Sequence, residues 1–120
     1  MNAAKLYAHA YEINNPMTVI KACGNQNLIP TSYSMAKADK SNILCEVVKQ
    51  AEDGEDLVFR FFECSNSATR AEITFGFDVE TVQLCDMGEN TLYALDVKDN
   101  TVSLPFGAFE IHTIKVTAKK

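Results

Sequence analysis

The side chains that could do chemistry in this chain are four cysteines, two histidines and sixteen carboxylates. A cysteine or serine hydrolase needs a base within hydrogen-bonding reach of its nucleophile and a third group that orients the base. Only His9 and His112 could be that base, and each lies in an alternating apolar run that is typical of a strand. The chain has no Gly-x-Ser-x-Gly elbow. We therefore predict no catalytic residue.

Neither the carboxylates nor the cysteines show the spacing of a known kind of site. Glycoside hydrolysis needs two carboxylates across one sugar bond, whereas the acidic residues fall mostly in turns or on one strand face, and we interpret them as solvated charge. Zinc sites usually take ligands as close Cys-x-x-Cys or His-x-x-x-His pairs. The cysteines lie about one strand apart, at Cys23, Cys45, Cys64 and Cys85. We predict reduced thiols that pack as small hydrophobic residues, no metal site, and a cytoplasmic location.

Size and charge narrow the classes of protein further. A chain of 120 residues with 47% hydrophobic residues fits one packed domain. Because 11 basic residues face 16 acidic ones, nucleic acid and anionic membrane surfaces are excluded as expected partners. We also predict no signal peptide. Because Met1 is followed at once by strand-like sequence, we expect a domain cut from a longer polypeptide.

Period-two alternation of apolar and polar residues runs along the chain, and we identify no apolar repeat of 3.6 residues. Turn signals recur about every 8–12 residues, which favours an antiparallel sandwich. The sequence predicts an all-β fold, an antiparallel β-sandwich of immunoglobulin-like architecture, with residues 1–120 in one domain. Gly76 predicts a bulge or a bend between sheets. The predicted strands are 6–13, 17–23, 28–35, 43–51, 57–64, 69–75, 77–84, 91–97, 101–104 and 109–117.

The hairpin predicted over residues 43–64 carries four charges among its apolar residues: Lys49, Glu52, Arg60 and Glu63. A symmetric loop over residues 53–56 would place Lys49 opposite Arg60. It would also place Glu46 opposite Glu63, and like charges directly opposite are unfavourable. We therefore expect a shifted register, with a bulge or with counter-ions from another strand. Two interpretations stay open, an outer-face charge set that contributes at most ~1 kcal/mol per pair and a docking surface for a neighbouring domain.

Two segments of the chain carry a recognisable pattern. The first is Lys49, Ala51, Glu52 and Asp53, followed by Arg60, Phe61, Phe62 and Glu63, with Ala68-Thr69-Arg70-Ala71-Glu72-Ile73 behind it. The second is Phe109-Glu110-Ile111-His112-Thr113-Ile114-Lys115. Together they resemble the C-terminal β-sandwich domain of the α-mannosidases of glycoside hydrolase family 38. The family pattern runs Pro-Phe-Glu without a break, but Gly107-Ala108 separates Pro105-Phe106 from Phe109 here, so we expect a displaced start to the last strand.

The resemblance implies a parent enzyme that hydrolyses α-mannosides with retention, through a zinc ion and an Asp nucleophile on an N-terminal α/β barrel. None of those residues has a counterpart in this chain, so we expect a non-catalytic accessory domain without a cofactor. Its expected partners are the preceding domains of the same polypeptide, and a glycan at the cleft they share, with residues 64–70 near the rim. The candidate interdomain or structural residues are Lys49, Glu52, Arg60, Glu63, Phe109, Glu110 and Thr113.

Two other classes of protein stay open. A free-standing sandwich that binds a glycan or a protein would need an exposed aromatic or apolar patch. The chain has no Trp, but four tyrosines could serve: Tyr7, Tyr11, Tyr33 and Tyr93. A small hydrolase with a cysteine nucleophile would need a thiol of lowered pKa.

Overall fold

The computed structural model describes residues 3–21, 30 and 32–120. In these residues the chain forms one helix and eight strands: α1 (Ala3–Asn14), β1 (Ala36–Ala38), β2 (Ile43–Gln50), β3 (Leu57–Glu63), β4 (Thr69–Phe75), β5 (Val79–Cys85), β6 (Thr91–Leu95), β7 (Thr101–Phe106) and β8 (Ile111–Ala118). Within the described ranges, no helix has the length and apolar character that a membrane span needs.

The eight strands form two antiparallel sheets that pack into a sandwich. One sheet has the strand order β1-β4-β7, and the other has the order β2-β3-β8-β5-β6. Apolar residues of alternate positions point from both sheets into one core, because successive side chains of a strand point to opposite faces. The predicted all-β antiparallel sandwich is confirmed. The largest fully buried apolar side chains are Phe59, Phe61, Ile73, Leu104 and Ile114.

The register of the β2–β3 hairpin is shifted, as the charges predict. Ala51 N–H donates to Asp56 O at 2.8 Å, so the loop lies one residue earlier than a symmetric loop over residues 53–56. A β-bulge before Val47 shifts the pairing further. Each of the hairpin charges within the strands thereby faces an apolar residue: Lys49–Val58, Arg60–Val47 and Glu63–Ile43.

The prediction of a strand over residues 6–13 is wrong, because these residues lie within α1. The alternating aromatic residues suggested a strand, but the alanines between them favour a helix. The least exposed positions, Ala4, Ala8 and Tyr11, are spaced by four and three residues, which is the helical repeat that the sequence analysis missed. His9 therefore lies on an exposed helix, where its Nδ1 is 3.1 Å from Glu12 Oε2.

The predictions of strands over residues 17–23 and 28–35 are wrong for the residues described. Residues 17–21, 30 and 32–35 form no strand, while residues 22–29 and 31, with Cys23, lie outside the described residues. These segments have strand propensity, but residues 17–21, 30 and 32–35 take part in no ladder. The connection predicted over residues 36–42 instead contains β1, and the last strand begins at Ile111 rather than at residue 109. That later start confirms the displacement expected from Gly107-Ala108.

Gly76 lies where the chain leaves one sheet for the other, between β4 and β5. The predicted bend between sheets is confirmed. Its N–H donates to Met35 O at 3.1 Å. A Cβ added at Gly76 would collide with the backbone oxygen of Ser34, so the two segments can approach only with glycine here.

We expect Gly76→Ala to lower the free energy of unfolding by about 1–3 kcal/mol, because the new methyl group must push the backbone of Ser34 away. Urea denaturation of the whole chain measures this change. Gly88→Ala is the matched control, because its Cβ would meet only side-chain atoms, at 3.3 Å and beyond. Equal losses in both variants would contradict the steric explanation.

Candidate functional site

Glu63 is the last residue of β3 and is fully buried. Its carboxylate accepts hydrogen bonds from Asn42 Nδ2 at 2.8 Å and from the N–H groups of Ser65, Ser67 and Phe109 at 2.7, 3.1 and 3.0 Å. These donors come from three separate connections, β1–β2, β3–β4 and β7–β8. One carboxylate thus holds three loops together at one end of the sandwich. We call these five residues the Glu63 cluster.

The hydrogen bonds within the Glu63 cluster determine the protonation state of the Glu63 carboxyl group. Burial alone raises the pKa of Glu63, because a buried carboxylate loses its hydration. The donors outweigh burial, with the Phe109 N–H first and the Asn42 amide next, and the pKa of Glu63 falls to about 2. At neutral pH the side chain is an anion whose oxygens are already bonded, so it stabilises loops and does not act as a base.

We expect Glu63→Gln to destabilise the domain, because its amide group would replace one acceptor oxygen with a donor. Each buried N–H left without an acceptor costs about 1–3 kcal/mol. The substitution also changes the response to acid. A carboxyl whose folded pKa is depressed contributes stability above its ordinary pKa, here 4.5, and loses it as the pH falls to about 2. The free energy of unfolding should therefore fall less steeply between these pH values in Glu63→Gln than in the wild type.

Urea denaturation at a series of pH values measures this difference. Glu80→Gln is the control, because Glu80 lies exposed on β5 and should leave the acid profile unchanged. Parallel profiles for the wild type and Glu63→Gln would contradict the assignment.

Arg60 and Thr113 lie on the outer face of the five-stranded sheet, the side turned away from β1, β4 and β7. Phe59 and Phe61 are in the core, so Arg60 between them points outward. Thr113 is its partner on β8, and Arg60 Nε donates to Thr113 Oγ1 at 3.2 Å. Thr113 is only 3% exposed. This pair therefore stabilises the junction of two central strands, and its hydroxyl is shielded from solvent.

Lys49, on β2, contacts two carboxylates. Its Nζ lies 2.7 Å from Glu52 Oε1 and 2.5 Å from Glu89 Oε1. Glu89 Oε2 also accepts a hydrogen bond from Glu52 N–H at 2.9 Å, and Glu89 O accepts one from Lys115 Nζ at 3.1 Å. Because Glu89 belongs to the β5–β6 connection, that connection must fold across the outer face to reach β2. The prediction that Glu89 is a solvated charge is wrong, because its side chain is largely shielded by this contact with Lys49.

Lys49 and Glu89 shift each other's pKa. The pKa of Glu89 is lowered, first by its hydrogen bond with Lys49 and next by Glu52 N–H. The pKa of Lys49 is raised, first by Glu52 and next by Glu89. The side chain of Glu89 is 8% exposed, whereas that of Glu52 is 77% exposed, so Glu89 is the better shielded partner.

We expect Lys49→Met to raise the pKa of Glu89 toward its ordinary value, because its principal hydrogen-bond donor is lost. An NMR titration of the side-chain carboxyl carbons measures this pKa. Lys37→Met is the matched control, since Lys37 lies exposed on β1 in the other sheet. A Glu89 titration unchanged by Lys49→Met would show that the two side chains do not interact in solution.

Phe109 and Glu110 lie in the connection before β8. The Phe109 ring is 58% exposed, although its N–H is held by Glu63. Glu110 O accepts from Glu63 N–H at 3.0 Å, and its carboxylate accepts from Gly107 N–H. His112, on the predicted strand, lies with Nε2 2.8 Å from Pro105 O and its ring against Phe106. This connection is thus fixed by backbone hydrogen bonds while it exposes one aromatic ring.

The seven candidate residues therefore do not form one site. Glu63, Phe109 and Glu110 meet at one end of the sandwich, whereas the other four lie on or beside the outer face: Lys49, Glu52, Arg60 and Thr113. Full burial of Glu63 means that it belongs neither to an outer-face charge set nor to an exposed docking surface.

Three of the four cysteines lie in the described residues. Cys45, Cys64 and Cys85 are free thiols, and burial raises the pKa of Cys64, which is opposite to the shift that activates a nucleophile. Within residues 3–21, 30 and 32–120, no group of three or more His, Cys, Asp or Glu side chains is placed to hold a metal ion.

The fold and these contacts define an all-β sandwich domain whose most buried carboxylates hold its own loops. Residues 42–114 match the family described as Glycosyl hydrolases family 38 C-terminal beta sandwich domain. Since the match covers more than half of the chain, the chain belongs to this family, and the resemblance seen in the sequence is confirmed. The comparison with curated proteins gave no match. All seven candidate residues lie inside the matched range, whereas α1 and β1 precede it.

Proposed function

We propose that this chain is a non-catalytic accessory domain of an α-mannosidase. In this proposal the zinc ion, its Asp and His ligands and the nucleophile belong to a barrel domain elsewhere in the parent enzyme, which hydrolyses α-mannosides with retention. Membership of the family over residues 42–114 supports the proposal. The domain would act by packing against the preceding domains of the same polypeptide.

The observation that carries the proposal is the way in which the two most buried carboxylates are used. A glycosidase needs two carboxylates facing each other across a sugar bond. Glu63 instead binds the donors of three loops, and Glu89 binds Lys49 and Glu52 N–H. Both carboxylates thus stabilise the domain's own surface, as expected of a part that supports a catalytic domain.

The Glu63 cluster also suggests how the domain would dock. It fixes the β3–β4 and β7–β8 connections side by side, and the exposed Phe109 ring stands on that fixed backbone. An aromatic ring held on a rigid loop is well suited to bury in a neighbouring domain, because little conformational entropy is lost on contact. We therefore propose that Phe109 takes part in the interdomain contact, with residues 64–70 beside it near the rim of the substrate cleft.

The test is hydrolysis of a chromogenic α-mannoside with zinc supplied. The 120-residue chain should be inactive, and the full product of its reading frame should be active, because the catalytic carboxylates and the metal belong to another domain. Activity of the 120-residue chain alone would overturn the proposal. Activity in neither form would favour the second candidate below.

The second candidate is a free-standing module that binds a glycan or a protein. The observation in its favour is the exposure of Tyr33 and Tyr93, each more than half exposed, since an exposed ring can pack against a sugar face. Tyr11 is not available in the same way, because its ring packs on Phe62 and its hydroxyl donates to Glu46 Oε1. A cytoplasmic location is part of both candidates, and the free thiols support it.

A further inference from the structure

One segment with strong strand propensity is not part of a sheet in the residues that the structure describes. Residues 17–21 read Met-Thr-Val-Ile-Lys, with three β-branched residues in succession, and the sequence predicts a strand there. The structure shows no strand in these residues. Three apolar side chains of the segment are the most exposed large ones described, Met17 at 88%, Val19 at 86% and Ile20 at 83%. We call residues 17–21 the donor segment.

The sandwich has four edge strands, and three of them carry features that prevent another strand from pairing with them. Charges, prolines, bulges and short length all have this effect. β2 carries Glu46, Lys49 and a bulge; β7 carries Pro105; and β1 has three residues, one of them Lys37. These edges are therefore poor acceptors for an added strand.

The fourth edge strand, β6, differs from the others. Its sequence, Thr-Leu-Tyr-Ala-Leu, has no charge and no proline, and its pairing with β5 is irregular only at its first residues. Leu92 and Tyr93 are 58% and 55% exposed. The outer edge of β6 is free within the described residues, because β5 is its one neighbour there. β6 is thus an acceptor that lacks the charges and proline that protect other edges.

We propose that the donor segment of one copy of this chain pairs with β6 of a second copy, and that the exchange is reciprocal. Backbone hydrogen bonds would extend the five-stranded sheet by one strand, and Val19 and its neighbours would cover Leu92 and Tyr93. The charges agree with this pairing. Residues 1–21 carry two basic residues and one acidic residue, whereas fifteen of the sixteen acidic residues follow residue 31.

Acidic residues near β6 are where the more basic donor segment would be attracted. Asp86 and Glu110 line the same cleft as Leu92 and Tyr93, so the surroundings of β6 are acidic and would attract a segment that carries Lys21. Direct pairing of β6 with β6 of another copy would bring two sets of these carboxylates together, which is unfavourable. The donor segment therefore fits this edge better than a second β6.

The position of α1 explains why the acceptor belongs to another copy. Tyr11 fixes the helix over β2 and β3, through Glu46 at 3.2 Å and the Phe62 ring. A strand added beyond β6 lies four strand spacings, about 19 Å, from β3. Met17 follows Tyr11 by six residues, three of them helical, which span about 15 Å at most. The segment does not reach the far edge of its own sheet while the helix stays docked.

The test is sedimentation equilibrium of the 120-residue chain over about 1–100 µM. A specific dimer of modest affinity is resolved in this range of concentrations. We expect a concentration-dependent dimer. Val19→Lys in the donor and Tyr93→Lys in the acceptor should each raise the dissociation constant about tenfold or more. Val48→Lys is the matched control, because Val48 is 47% exposed on the protected edge strand β2, and it should leave the dissociation constant unchanged. Urea denaturation confirms that each variant is folded.

Mixing the two disruptive variants distinguishes strand exchange from non-specific hydrophobic association. Val19→Lys keeps an intact β6 and Tyr93→Lys keeps an intact donor segment, so one complete contact can form between them. The mixture should associate more tightly than either variant alone. A monomer at all concentrations, an equal effect of Val48→Lys, or a dimer insensitive to Val19→Lys would each overturn the proposal. None of these results depends on mannosidase activity.

Discussion

The charge on Glu63 is the constraint on which this domain's organisation depends. A carboxylate without water must be surrounded by donors, since an unpaired buried charge is strongly destabilising. The side chain of Asn42 and three backbone N–H groups supply them. Because those donors belong to three connections, satisfying one charge also fixes the path of the chain between the two sheets. The burial of Glu63 therefore depends on the path of the three connections at that end of the sandwich, and their path depends on Glu63.

On the outer face of the five-stranded sheet a carboxylate, that of Glu89, also holds a connection in place, but through a weaker interaction. The β5–β6 connection crosses that face because Glu89 reaches Lys49 and Glu52 N–H, with Lys115 on its backbone oxygen. Lys49 is 37% exposed, so solvent screens this contact more than it screens the Glu63 cluster. One end of the domain is thus held by a buried charge, and the outer face is held by a contact that salt can weaken.

The sequence predicts those parts of the fold that depend on local pattern. The strands from residue 43 onward alternate clearly, and the Asp53-Gly54 turn fixes a hairpin. The helix was missed because the aromatic residues of residues 6–13 alternate as in a strand, while the alanines between them, which favour a helix, count as apolar in either period. The charges of the hairpin were found, but the contact between Lys49 and Glu89 was not, because it depends on how a distant loop folds back. Alternation places Glu63 on the same face of β3 as Phe59 and Phe61, but no local signal names the donors from three connections that surround its carboxylate.

The strand order has a consequence for how the domain folds. The last strand, β8, lies at the centre of the five-stranded sheet, between β3 and β5. The β2–β3 and β5–β6 hairpins can form as soon as their residues are synthesised, but they remain separate two-stranded ribbons until β8 joins them. The five-stranded sheet is complete only when β8 pairs with β3 and β5, through contacts between positions far apart in sequence, which are slow to form. Until β8 is in place, β3 and β5 each present an open edge, so a chain of this kind is most exposed to aggregation before β8 pairs with them.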